Sequence, residues 1–241
     1  MPNSDQPEHI SSSYEGELRR LRDMIARMGG LAERQVAEST EALVRHDTDL
    51  AGEVIQRDAA IDALEREIEA YCIRLLALRA PVAGDLRLIV AAMKVAHDLE
   101  RIGDYARNAA KRTLVVAQQP QVGSLNGFQR MARLVLENLK NAIDALVEDD
   151  AERAEEVWGA DEPVDDIYNG IFREMLTHMM EDPRNITAAT HLLFIAKNLE
   201  RIGDHATNIA ETVHFAVSGD TLPEDRPKSD TASYAVVRPP G

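Results

Sequence analysis

Four pairs of acidic residues spaced i, i+4 recur in duplicate register: Asp58/Asp62 and Glu100/Asp104, then Asp161/Asp165 and Glu200/Asp204. On a helix, residues four apart share a face, so each pair presents two carboxylates to one point in space. One such pair is noise, because 42 acids in 241 residues give about seven by chance. Four pairs repeated in two copies are a signal. Like charges at this spacing destabilise a helix by roughly a few tenths of a kcal/mol, and a multivalent cation would remove the repulsion. All-oxygen donors favour hard ions, Mg²⁺, Ca²⁺, Mn²⁺ or ferric iron, and bridging carboxylates would hold more than one per site. The competing reading is a set of solvated acidic faces.

Residues around the pairs refine the expectation. Gly103 and Gly203 sit inside the acidic motif of both copies, although glycine in a helix costs about 1 kcal/mol relative to alanine. Close approach of a neighbouring helix is the expected reason. Asn108 and Asn208 lie one turn beyond the aspartates and would extend each claw by an amide oxygen, or would stand as plain surface amides. Turning 100° per residue places Glu100 and Asp104 away from the Leu99/Ile102 seam, so the claws are expected on the flank or surface. Pro163 falls between Asp161 and Asp165 and should kink or restart its helix. Glu162 or Asp166 would then be alternative donors in the second copy.

Other chemistry is weakly represented. Glu211-Thr-Val-His214 alone fits Glu-x-x-His, and Lys111 to Leu114 in the other copy does not, so an oxidative di-iron bundle is not expected. His97 and His205 do not recur between copies and read as surface histidines. Cys72 lies near Ile68 and Leu75 and reads as a core thiol. Phosphate-binding glycine loops and a nucleophile elbow are not found. No catalytic residue is expected.

The elements that must position the claws are helices. Apolar residues return every three or four positions, most clearly from Leu88 through Val95, Leu99, Ile102 and Ala109 to Val116, the seam of a near-antiparallel bundle. Breaks at Asp47, Pro81/Gly84, Pro120/Gly123, Asp150 and Pro183 divide the chain into six helices, the fifth from near Asp150 to Met180. LERIGD occurs at Leu99–Asp104 and again at Leu199–Asp204, followed by YARNAA and HATNIA. Upstream, Ala42-Leu43-Val44 matches Ala145-Leu146-Val147. The expected fold is all-α, a tandem duplication of a three-helix bundle built from six long antiparallel helices. Its expected limits are a disordered tail over 1–13, repeats over 14–120 and 121–217, and a disordered tail over 218–241. Asp58/Asp62 and Glu100/Asp104 are equidistant from Pro81, and the second-copy pairs from the Asp182–Pro183 junction. Residues equidistant from a hairpin turn sit at one level, so each copy should gather four carboxylates across two helices.

Composition excludes several classes. The net charge of −15 argues against nucleic-acid binding, which needs a concentrated basic face. One cysteine cannot form an internal disulfide. The apolar run Leu88–Met93 is far short of the roughly 18 residues of a membrane span, and the N-terminal text lacks a signal pattern, so a cytoplasmic location is expected. Glu148 to Asp166 holds ten acids and one base, Arg153. That stretch is a solvated face or a docking surface for a basic partner.

The duplicated LERIGD, preceded by AAMKVAHD in one copy and LLFIAKN in the other and followed by DHATNIAE, resembles the PhoU family of phosphate-transport accessory proteins over about residues 14–217. The resemblance implies two similar three-helix bundles with multinuclear metal clusters of iron or zinc on E/D-x-x-x-D motifs. Those motifs are Asp58/Asp62, Glu100/Asp104, Asp161/Asp165 and Glu200/Asp204, the third interrupted by Pro163. It further implies a negative regulator, often dimeric, that links a phosphate ABC transporter to a sensor histidine kinase. The alternatives are a carboxylate-bridged metal enzyme and a purely structural helical bundle.

Overall fold

The computed structural model describes residues 6–223. Among them all regular elements are helices: α1 (Gln6–Arg45), α2 (Thr48–Arg79), α3 (Ala83–Val116), α4 (Asn126–Glu148), α5 (Ala151–Trp158), α6 (Glu162–Glu181) and α7 (Ile186–Ser218), with a 3₁₀ turn at Pro183–Asn185 before α7. This is the expected duplicated all-α bundle, α1–α3 followed by α4–α7, with its fifth helix cut in two. Of the tail expected over 218–241, Ser218 ends α7 and residues 224–241 lie outside the described residues.

Local chemistry sets the breaks. Asp47 accepts a hydrogen bond from the Leu50 amide at 2.9 Å, and Asp150 accepts one from the Arg153 amide at 3.0 Å. Each satisfies an amide that the first helical turn leaves without a partner. Ala80, before Pro81, leaves the right-handed helical region at φ 44° and ends α2, as the residue before a proline is driven to do. Gly219 closes α7 in the left-handed region at φ 85°, where glycine has no Cβ to clash.

Two expectations need correction. The helix expected from near Asp150 to Met180 stops at Trp158 and restarts at Glu162. The Gly159 amide bonds to the Glu155 carbonyl and the Ala160 amide to the Val157 carbonyl, which closes α5. Pro163 then lies in the first turn of α6, where a missing N–H costs nothing. At the other end, α1 begins at Gln6, inside the stretch 1–13 expected to be a disordered tail. Pro7 there also occupies a first turn and does not interrupt the helix.

α3 packs on α1 and α2, α7 packs on α4, α5 and α6, and α3 and α7 form the most extensive helix contact. Asp98 meets His205 at 2.7 Å, Arg201 lies 5.5 Å above the Tyr105 ring, and Arg112 meets His191 at 3.5 Å. These pairings make α3 and α7 antiparallel with their two LERIGD segments level. α1 also packs on α4, so one continuous core unites the halves, from Leu21, Ile25 and Met28 through Ile102 and Phe128 to Ile202. Each such aliphatic or aromatic side chain contributes about 1.5–3 kcal/mol when fully buried. The two acidic segments therefore rest on rigid helices at the waist of the molecule.

Candidate functional site

In the first repeat the four predicted carboxylates converge between α2 and α3. Asp58 is 3% exposed. Its Oδ1 accepts from Gln35 Nε2 of α1 at 2.9 Å, and the same amide nitrogen donates to the Gly103 carbonyl at 3.1 Å. Arg107 donates to Asp58 Oδ2 in a very short contact and reaches Asp104 Oδ1 through Nη2 at 2.6 Å. One guanidinium thus bridges an aspartate of α2 and one of α3. Glu100 is held above the ordinary carboxylate range, first by burial and then by Asp104, with Glu65 and Asp62 adding to it and Arg101 opposing. Its Oε2 makes no hydrogen bond and lies 3.3 Å from Arg101 Nε.

In the second repeat the same arrangement forms around the helix break. Asp161 sits at the start of α6 and its backbone carbonyl accepts from the Val164 and Asp165 amides. Asp161 and Asp165 are each 3% exposed and Glu200 is 7% exposed. Burial pushes the Glu200 carboxyl up, Asp204 and Asp165 raise it further, and Lys197 opposes. Lys197 Nζ lies 2.9 Å from Glu200 Oε1, while Glu200 Oε2 is buried without a partner. The carboxylates on both sides of Pro163 therefore still face α7. Glu162 and Asp166, the alternative donors, are exposed. Asp166 lines a separate hollow with Arg130 and Glu174.

Burial is the main departure from expectation. The claws were expected on the flank or surface; Asp62, Glu100, Asp104 and Asp204 are half-buried, which fits a flank, yet Asp58, Asp161, Asp165 and Glu200 are buried. The seam arithmetic treats one partner helix, whereas α3 and α7 each pack against three or more. Glycine makes the approach close. A Cβ on Gly103 would lie 2.9 Å from Ile61 Cδ1 and 3.5 Å from Asp58 Oδ1. On Gly203 it would lie 3.4 Å from Val164 Cγ1 and 3.9 Å from Asp161 Oδ1. Close helix packing was the expected role of both glycines.

Sequence reasoning missed three groups. Arg107 has Thr207 at its counterpart position, so a search for repeated residues passes over it. His97 Nδ1 lies 3.2 Å from Glu65 Oε1, and donor atoms of Glu65, His97 and Glu100 lie within 4.8 Å of one another. His205, expected on the surface, is half-buried between α3 and α7, with its ring 5.6 Å from that of Tyr105. Cys72 is buried as expected, and burial pushes its thiol up to about 12. Asn208 lines a hollow of about 400 Å³ between α3 and α7, with Arg87, Lys94 and Phe215.

The chain is thus a duplicated helical bundle with a cluster of buried and half-buried carboxylates in each half. The PhoU domain matches it twice, over residues 25–113 and 128–213, and the chain belongs to the PhoU family. It is 51% identical over 227 residues to a protein of Caulobacter vibrioides (strain NA1000 / CB15N) named phosphate-specific transport system accessory protein PhoU homolog, covering 94% of this chain and 99% of that one. A Rhizobium meliloti (strain 1021) protein of the same name is 47% identical over 226 residues, covering 93% and 95%. The crystal structure of PhoU from Pseudomonas aeruginosa superposes with a TM-score of 0.83 at 39% identity, over 86% of this chain and 100% of that one. The phosphate transport system regulatory protein PhoU from Streptococcus pneumoniae gives 0.81 at 29% identity, over 87% and 99%. No described helix is long and apolar enough to cross a membrane.

Proposed function

We propose that this chain is a cytoplasmic, homodimeric negative regulator of phosphate uptake and of the phosphate-starvation regulon. In this role it links a phosphate ABC transporter to a sensor histidine kinase. The observation that carries the reading is the 51% identity, over 94% of the chain, to a protein named as an accessory of phosphate-specific transport. The shape suits an adaptor. Leu78 and Val82 are 67% and 74% exposed at the α2–α3 turn, and Met180 and Ile186 are 42% and 49% exposed at the α6–α7 turn. Because α3 and α7 are antiparallel, the two turns offer apolar docking surface at opposite ends.

Each carboxylate cluster holds metal in this reading. Asp58, Asp62, Glu100 and Asp104 would supply the first set of donors, and Asp161, Asp165, Glu200 and Asp204 the second. The buried Glu200 Oε2, which makes no hydrogen bond, fits such a role, since a buried carboxylate oxygen without one costs free energy that a cation would recover; Glu100 Oε2 has the Arg101 Nε at 3.3 Å. Arg107 competes for two carboxylates of the first set. The ion neutralises charge and fixes the angle of α2 and α6 on the central pair; hard divalent ions, iron or zinc suit the donors.

The test uses a bacterial strain lacking its own PhoU protein and carrying a phosphate-starvation reporter. Expression of the wild-type chain should silence the reporter in excess phosphate, and the Asp104→Asn/Asp204→Asn variant, at equal abundance, should not. A reporter that stays fully active with the wild-type chain would overturn the proposed role.

A further inference from the structure

We propose that Glu65, His97 and Glu100 form a separate divalent-cation site of mixed nitrogen and oxygen donors, present in the first repeat alone and suited to a zinc-class ion. Glu65 projects from α2, while His97 and Glu100, three residues apart, share a face of α3. One donor atom from each lies within 4.8 Å of the other two. A zinc-type ion holds its ligands at about 2.0–2.2 Å, so small side-chain rotations bring all three into contact. Glu100 Oε2 makes no hydrogen bond and has only the Arg101 Nε at 3.3 Å beside it, and the His97 side chain is 59% exposed, which leaves a route for an ion and room for water as a fourth ligand.

The second repeat supplies independent support. The counterparts of Glu65, His97 and Glu100 are Tyr168, Lys197 and Glu200. There the Lys197 ammonium stands 2.9 Å from Glu200 Oε1 and 5.0 Å from the centre of the Tyr168 ring. A cation thus already occupies this place in one copy, as part of the chain. In the other copy the lysine is replaced by a metal-ligating imidazole, and the tyrosine by a second carboxylate. Two carboxylates and a neutral imidazole carry a charge of −2, which one divalent ion balances. Imidazole favours zinc, copper, nickel or ferrous iron over Mg²⁺ and Ca²⁺, which require oxygen. The site shares Glu100 with the first carboxylate cluster but does not depend on that cluster holding metal.

Equilibrium dialysis against buffered free zinc tests this, with cobalt as a spectroscopic substitute. His97→Ala, and the Glu65→Tyr/His97→Lys pair that installs the second repeat's residues, should each bind one zinc per chain fewer than wild type. Both should lose the visible cobalt band of an imidazole-ligated ion. The Asp104→Asn/Asp204→Asn variant should keep that ion, and excess Mg²⁺ should not displace it. Equal zinc stoichiometry and affinity in wild type and His97→Ala would overturn the proposal. Zinc lost from the Asp104→Asn/Asp204→Asn variant but retained by His97→Ala would also overturn it, assigning the ion to the clusters alone.

Discussion

Replacing Arg107 with methionine isolates the electrostatics of the first cluster. Asp58 has a side chain only 5% exposed, and Arg107 is 27% exposed, so the substitution leaves a buried carboxylate without its cation. Removing one partner of a fully buried pair costs about 3–5 kcal/mol. Here Gln35 Nε2 still donates at 2.9 Å and water reaches the vacated arginine site, which reduces the expected cost to about 2–3 kcal/mol. For a chain of this size each kcal/mol moves Tm by about 2–4 °C, so the metal-free variant should melt roughly 4–12 °C below wild type. A cation that binds only the folded state contributes about 2.7 kcal/mol at one hundred times its Kd, which matches the loss. Calorimetry in chelator should show the deficit, and a saturating divalent ion should bring the variant's Tm back to about that of chelator-treated wild type. In an Asp58→Asn background the same substitution should cost under about 1 kcal/mol. A deficit unchanged by Asp58→Asn would show that Arg107 acts through packing and refute the reasoning.

Three further outcomes follow from the same geometry. Gly103→Ala should lower stability by about 1 kcal/mol, because overpacking against buried Ile61 at 2.9 Å outweighs the gain of about 1 kcal/mol in helix propensity; Gly203→Ala, with its nearest contact at 3.4 Å, should be neutral or stabilising in the same urea titration. Burial raises the Glu100 carboxyl above its ordinary value of 4.5, so its contribution to metal-free stability is present below that pH and lost as pH rises through the raised value. The Tm advantage of Glu100→Gln in chelator should therefore grow from pH 4 to pH 7, and a shrinking advantage would contradict the assignment. Cys72, with its thiol at about 12, should resist a thiol-reactive chromophore at pH 8 until denaturant is added, and rapid labelling of the native chain would show that its surroundings are open.

The fold was legible because its signals are local and repeated. Asp47 and Asp150 announced their helices, the apolar period drew the α3 seam, and equal spacing about Pro81 placed Asp58 beside Gly103. The same reliance on repetition hid what the copies do not share. Arg107 answers to Thr207, and Glu65 and His97 answer to Tyr168 and Lys197, so a search for matched residues discards all three. The depth of the clusters was illegible for another reason. A helical wheel shows which residues share a face but not how many helices cover it, and Gln35 reaches Asp58 from α1 across a separation of 23 residues. The split of the fifth helix lay between these cases. Pro163 announced a break, but only the α5–α6 geometry showed that Asp161 and Asp165 still meet α7 on the same side.

The claim that the duplicated carboxylates are cation sites is tested most directly by elemental analysis. Protein purified without chelator should be compared with the Asp104→Asn/Asp204→Asn variant by plasma mass spectrometry. The account predicts iron, zinc or manganese bound in a defined ratio to the wild-type chain and, apart from the one ion assigned to His97, sharply reduced in the folded variant. A wild-type chain that is metal-free, binds none of these ions when they are supplied, and still silences the phosphate-starvation reporter would contradict it.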